Sequence, residues 1–219
     1  MLRNITSRYS ALESWAYDRF IVPAADKMIG EIEAVVNRSI PANAAVLEVG
    51  CGGGQLARRL VERRSDLTWT GLDLSREQVA RARRRTADMQ RLSFVEGDAQ
   101  ALPFSDALFD VVVSIASIKH WPDQALGLRE CIRVLRPDGL LLVVEADRGC
   151  RYQDAARFVD SSPLPPMLRP VGLALFRTWI AGRSLDREEA QQLLEGLSVA
   201  ERGVKRLPDM PVLEMTARK

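Results

Sequence analysis

No apolar run in the 219-residue sequence is long enough to cross a bilayer. The longest, residues 139–146, is interrupted by Glu145, whereas a membrane helix requires roughly 20 apolar residues. Lysine is scarce: only Lys27, Lys119, Lys205 and Lys219 appear among 31 basic residues, the rest being arginine, and His120 is the single histidine. The three cysteines, Cys51, Cys131 and Cys150, are odd in number and widely spaced. That excludes a disulfide framework and a CxxC zinc pattern, so no metal site is expected and reduced thiols in the cytoplasm are. Met1 to Thr6 contain no apolar core of a secretory signal. There is no internal repeat and no Pro/Gly/Ser-rich linker. Charge of one sign is also missing, since 31 basic against 29 acidic residues leave only +2.

What is present is ordinary for a globular protein: 47% apolar and 27% charged residues. A 24.4 kDa chain has room for one domain and buries roughly 70% of its unfolded surface without staples. Two arginine clusters, Arg58-Arg59 with Arg63-Arg64 and Arg81 with Arg83 to Arg85, fall on helical patterns. They read as a solvated helix face, with an anionic partner as the alternative.

The order of elements carries more. The first 40 residues show helical periodicity, with a break at Pro23. An apolar strand over 44–49 runs into Gly50, Gly52, Gly53 and Gly54, and an amphipathic helix follows over 55–64. A strand over 67–72 ends at Asp73, and Ser75 is placed to cap the helix through Arg85. Strands are predicted at 92–96, 109–115 and 140–145, with a helix over 125–135. Strict strand–helix alternation predicts a doubly wound, mostly parallel α/β sheet with helices on both faces. Residues 147–184 interrupt the rhythm with four prolines among large apolar residues and read as a small helical lid. A helix over 186–197 and two strands, 199–204 and 212–217, then complete seven strands, one of them antiparallel. The organisation is therefore a helical cap (1–40), a nucleotide-binding core (41–146), a lid or substrate insertion (147–184), and a closing helix and hairpin (185–219).

In such sheets ligands lie beyond the carboxyl ends of the strands. Those ends hold Gly50 to Gly54, Asp73, Asp98 and Ser114. Glycines allow close backbone approach, and the following helix aims free N–H groups at the ligand. Asp73 is placed to accept from ribose hydroxyls and Asp98 from an adenine amine, although an Asp after Gly97 also suits a plain turn. Gly52 to Ala57 satisfies a relaxed dinucleotide pattern, which is weak evidence for a nicotinamide cofactor. Glu48 argues otherwise. A buried carboxylate two residues before the glycine turn repels a pyrophosphate and favours an ammonium or sulfonium, which implies S-adenosyl-L-methionine (SAM).

Val46-Leu47-Glu48-Val49-Gly50-Cys51-Gly52-Gly53-Gly54 resembles the first motif of class I SAM-dependent methyltransferases, and Gly71-Leu72-Asp73-Leu74-Ser75 their second. Gly97-Asp98-Ala99 and Phe109-Asp110-Val111-Val112 resemble the third and fourth. Arg133 to Leu140 is similar to the loop before strand five in the branch containing ubiquinone/menaquinone-biosynthesis and other small-molecule methyltransferases. The resemblance covers residues 44–146. It implies that Glu48 and the backbone at Gly50, Cys51 and Gly52 hold the methionine part, with Ser114 beside its tail. It further implies Asp73 on the ribose, Leu74 on the adenine ring, and Asp98 with Ala99 at the adenine edge.

Methyl transfer needs alignment more than it needs a base. His120 sits where relatives admit substrate, and its role as base, pocket wall or plain structure is open. Trp121 is an aromatic wall or helix packing. Tyr17, with Tyr9 and Trp15, and Asp147 with Arg148 are the remaining candidate substrate contacts. The apolar lid favours a small, partly apolar or planar acceptor. Nucleic acid and membrane partners are not expected, and a monomer or homodimer is. The alternative is an RNA or other nucleic-acid methyltransferase. Against it, Ser114-Ile115-Ala116-Ser117 stands where base-methylating relatives carry Asn-Pro-Pro-Tyr or Pro-Cys, and no Lys-Asp-Lys-Glu set can be assembled.

Overall fold

A computed structural model describes residues 22–162 and 164–219. Among the described residues the first helix, α1 (Val22–Ser39), turns Ile32, Val35 and Val36 inward at helical spacing. The next elements are β1 (Ala45–Val49), α2 (Gln55–Arg63), β2 (Thr68–Asp73), α3 (Arg76–Arg85), β3 (Leu92–Glu96), β4 (Phe109–Ile115) and α4 (Gln124–Val134). Then come β5 (Leu135–Ala146), α5 (Tyr152–Asp160), α6 (Arg169–Leu175), α7 (Arg187–Glu195), β6 (Glu201–Arg206) and β7 (Val212–Arg218).

The seven strands lie in the order β3-β2-β1-β4-β5-β7-β6. Order reverses between β1 and β4, which opens the crevice at their carboxyl ends. Among the described strands β7 is the reversed one, antiparallel to both β5 and β6, as a short connection from β6 demands. The central strands are apolar on both faces because helices cover both. Val46, Trp69, Val111 and Val113 pack under α1 and α2 on one side. Leu47, Val112, Leu141 and Leu213 pack with α4 and α7 on the other.

Local signals set the helix ends. Ser75 Oγ accepts from the Gln78 N–H at 3.4 Å, and Asp123 accepts from the Leu126 N–H at 2.8 Å. Asp186 and Glu189 form a complete capping box. The helix expected to run to Leu135 ends at Val134. Leu135 already pairs with Phe109, and a bulge then realigns Val111 with Leu140.

The arginine clusters form no single face. Arg58 pairs with Glu62 at 2.7 Å and Arg64 with Asp66 at 2.7 Å, while Arg63 meets Glu33. Arg83 donates to the Phe94 carbonyl at 2.6 Å and Arg85 to that of Gly53.

After β4, a 3-10 turn over Ile118–His120 leads into α4, and the buried Trp121 ring packs against Gly127. Its indole N–H donates to Ser117 Oγ at 3.1 Å, so the ring cannot swing away freely. A Cβ on Gly127 would lie 2.5 Å from that ring. Valine and glycine differ by only about half a kcal/mol in helix propensity. Gly127→Val is therefore expected to cost about 1–3 kcal/mol through overpacking. Thermal denaturation should show a midpoint lower by roughly 2–8 °C; an unchanged midpoint would mean the ring is not fixed.

Candidate active site

The strand-order reversal brings three acidic side chains to the tips of β1, β2 and β3. Glu48 is deepest, only 4% exposed, and accepts from the Trp69 indole N–H at 3.0 Å. Trp69 was not singled out by sequence; it pairs with Val46 in the parallel register and shares a face with Glu48. Burial pushes the Glu48 carboxyl up to about 8, the Trp69 bond opposes the shift, and nearby Asp73 adds to it.

The glycine turn wraps the end of β2. The Gly50 and Cys51 N–H groups both donate to the Leu72 carbonyl, at 2.7 and 3.0 Å. Gly50 has φ +81°, and a Cβ there would strike Ser117 Oγ at 1.9 Å, so side chain and conformation alike require glycine. At Gly52, φ is +50° and a Cβ would meet nothing within 4 Å. This is backbone bared to open space. The Cys51 side chain points inward, where its sulfur packs against Gly71. Burial, with Glu48 and Asp73 nearby, raises its thiol well above the ordinary range, so its part is steric.

Asp73 joins the two halves of the crevice. One carboxylate oxygen accepts from the Gly52 N–H at 2.8 Å and the other from the Ser75 N–H at 2.8 Å. The next residue, Leu74, is 63% exposed, an apolar surface with no cover. Asp98 accepts from the Gln100 N–H at 2.9 Å, the turn geometry that sequence kept as its plainer reading. Gln100, unmarked by sequence, also accepts from the Asp123 N–H at 2.7 Å, tying this loop to α4. Ala99 is buried beneath. Among the described residues, no arginine or lysine forms an ion pair with Glu48, Asp73 or Asp98.

Other expected contacts fall elsewhere. Ser114 is 0% exposed and its hydroxyl has no hydrogen-bond partner, so it lies under the crevice floor and does not open onto it. Trp121 packs against α4 and forms no open wall. Asp147, also 0% exposed, accepts from Arg206 at 2.6 Å and from the Gly149 N–H at 2.7 Å, which corrects its assignment as a substrate contact. Arg148 is corrected likewise: it binds Asp186 at 2.5 Å and Glu189 at 2.6 Å beside α7. Both residues fasten the neck of the 147–184 segment. Tyr17, Tyr9 and Trp15 lie outside the described residues.

His120 is exposed at the rim of the crevice. Partial burial and the Lys119 ammonium lower its pKa, against an opposing pull from Glu145. Lys119 Nζ donates to the fully buried Glu145 carboxylate at 2.9 Å, and that carboxylate also accepts from the Ala146 N–H at 2.9 Å. This pair fixes the 3-10 turn that presents His120.

These features fit one kind of ligand. A buried carboxyl without a counter-charge suits a cation, Asp73 suits paired hydroxyls, Leu74 suits a flat apolar ring, and bare Gly52 admits close contact. A pyrophosphate would face three acids. The described residues contain no metal-ligating cluster and no helix long and apolar enough to cross a membrane. A cavity of about 610 Å³ lined by Arg38, Arg136 and Arg218 lies at the amino ends of β1, β4 and β5, at the far end of the sheet.

Strand order, glycine turn and three acids together define the class I SAM-dependent methyltransferases, whose cofactor is S-adenosyl-L-methionine. Residues 47–143 match the family model described as a methyltransferase domain. It is 45% identical over 119 residues to a fatty-acid O-methyltransferase of Mycolicibacterium smegmatis, covering 54% of this chain and 43% of that one. It is 37% identical over 107 residues to a 2-methyl-6-phytyl-1,4-hydroquinone methyltransferase of Synechocystis, covering 49% and 33%. A 27-O-demethylrifamycin SV methyltransferase of Amycolatopsis mediterranei is 42% identical over 99 residues, covering 44% and 36%. The chain thus spans less than half the length of these relatives. A SAM-dependent methyltransferase structure from Aquifex aeolicus shares the fold with TM-score 0.61 at 15% identity, covering 93% of this chain and 92% of that one.

Glu48 has a measurable signature. Its folded-state pKa of about 8 lies above the ordinary 4.5. The folded state therefore holds a proton that the unfolded chain releases between those values. Stability from this group is full below pH 4.5 and is lost as pH rises through about 8. Without cofactor, the unfolding midpoint should fall across that window, and Glu48→Gln should flatten the fall. Equal slopes for the two proteins would sink the assignment.

Proposed function

We propose that the chain transfers the methyl group of SAM to a small, partly apolar or planar metabolite, in the cytoplasm, as a monomer or homodimer. The observation that carries this reading is the buried Glu48 carboxyl, held by the Trp69 indole alone, next to the glycine turn whose Gly52 N–H is braced by Asp73. Three named relatives act, by their names, on a fatty acid, a prenylated hydroquinone and a rifamycin, which supports an apolar or planar acceptor. The free thiols of Cys51, Cys131 and Cys150 suit a reducing compartment.

When bound, SAM supplies an electrophilic methyl on a cationic sulfur. Glu48 would release its proton to solvent as the cation binds and would then hold the ammonium. Asp73 orients the ribose while bracing Gly52 and Ser75, and Leu74 covers one face of the adenine, with Asp98 and Ala99 at its edge. Holding these parts would align the donor with the acceptor, and such alignment can lower a barrier by roughly 7–11 kcal/mol. His120, neutral at pH 7 because its pKa lies below the usual 6.5, receives the acceptor's proton at the rim.

Tritiated-methyl transfer from SAM to a panel of fatty acids, phenols and hydroquinones tests the reading, and incorporation into RNA alone would overturn it. Asp73→Ala should weaken SAM binding at least tenfold, about 1.4 kcal/mol; unchanged affinity by calorimetry would remove Asp73 from the ribose. His120→Asn should lower kcat with SAM affinity intact and abolish the acid limb of the rate profile below about pH 6.5. Wild-type turnover in that variant would exclude proton transfer by His120.

A further inference from the structure

The segment after β5 is a module closed at its neck. Asp147 bridges Leu185, and the Arg148 N–H donates to the Leu185 carbonyl at 2.9 Å. The module therefore stands at the carboxyl ends of the strands, beside the crevice. It has its own small core, where the Phe158 and Phe176 rings lie 4.7 Å apart and Leu173 and Ala181 pack against them.

Its outer face is apolar as well. Leu168, Val171, Leu175 and Trp179 follow one another at intervals of three and four residues and form one helical stripe, with Met167 at its end. All five are exposed, Met167 by 83% and Trp179 by 50%. A soluble face does not gather large apolar side chains in this way without a purpose.

Charge sharpens the reading. Residues 161–185 contain Arg169, Arg177 and Arg183 and no aspartate or glutamate. Arg169 lies 3.3 Å from Asp160. Arg177 and Arg183 have no carboxylate partner among the described residues; each lies over an aromatic ring, Tyr152 at 5.9 Å and Trp179 at 4.3 Å. Exposed aromatic and aliphatic groups interleaved with unpaired arginines are the chemistry of a face that lies in the headgroup layer of an anionic bilayer.

We propose that this stripe, with Arg177 and Arg183, docks the module onto an anionic lipid surface. No membrane partner is expected from the lack of a spanning segment, but a surface lying in the headgroup layer needs no span. The proposal stands apart from the methyl-transfer reading, because it concerns binding alone.

Co-sedimentation of the full chain with vesicles tests it. The chain should pellet with about 30% phosphatidylglycerol in phosphatidylcholine at about 50 mM salt and be released at high salt. It should stay in solution with phosphatidylcholine alone. Arg177→Glu with Arg183→Glu, and separately Val171→Asp with Leu175→Asp, should each weaken partition about tenfold or more. All four positions are exposed, so thermal midpoints should hold. As a second readout, vesicles should shift tryptophan emission to the blue in the wild type, and Trp179→Phe should remove the shift. A chain that stays in solution with phosphatidylglycerol vesicles overturns the proposal, whether a second copy or residues 1–21 cover the stripe. So does binding that survives both pairs of substitutions.

Discussion

The buried carboxyl of Glu48 is the constraint around which the crevice is organised. A carboxylate enclosed by sheet and helix is costly unless it is neutralised or paired. Here the solution is partial: one indole N–H from Trp69 and retention of a proton at neutral pH. An arginine in its place would settle the charge permanently and close the site. Because the charge is left unsettled, the tip of β1 is open to a cation, as the proposed grip on the methionine ammonium requires. The glycine turn follows from the same need, since any side chain at Gly50 would collide with Ser117 and lift the backbone away from what Glu48 holds.

The fold was legible in the sequence. The alternation of apolar strands with capped amphipathic helices dictates a doubly wound sheet, and the short connection around Pro208 to Pro211 dictates an antiparallel last strand. The positions of Glu48, Gly52 and Asp73 at the strand ends follow from the strand pattern. Ser114 illustrates the limit. It sits near a strand end as a crevice residue should, yet its side chain falls on the face packed by α4. A two-residue periodicity assigns a face only once the register and the end of the strand are known.

Asp147 and Arg148 failed for a different reason. Sequence shows that a charged residue follows β5 but not which partner the fold brings to it. Arg206 lies 59 residues away and Asp186 lies 38 away. Contacts of that span arise from topology, and the order β5-β7-β6 is what carries Arg206 to the neck. Trp69 and Ser117 were missed on the same grounds. Each matters through a neighbour on another strand or loop.

The scarcity of lysine finds its explanation in these junctions. A guanidinium offers several donors in a fixed plane, where an ammonium offers a compact point charge. Arg133 uses that plane to reach Glu130, Asp106 and the carbonyls of Leu102 and Phe104 together. Arg64 spans Asp66 and the Pro41 carbonyl, and Arg206 spans Asp147 and the Gly149 carbonyl. Throughout the sheet domain arginine fastens loops by satisfying carbonyl and carboxylate groups at once. On the outer face of the insertion that use stops: Arg177 and Arg183 lie against aromatic rings and leave most of their donors to solvent. The same residue type that knits the core together is, on this one face, left with binding capacity to spare.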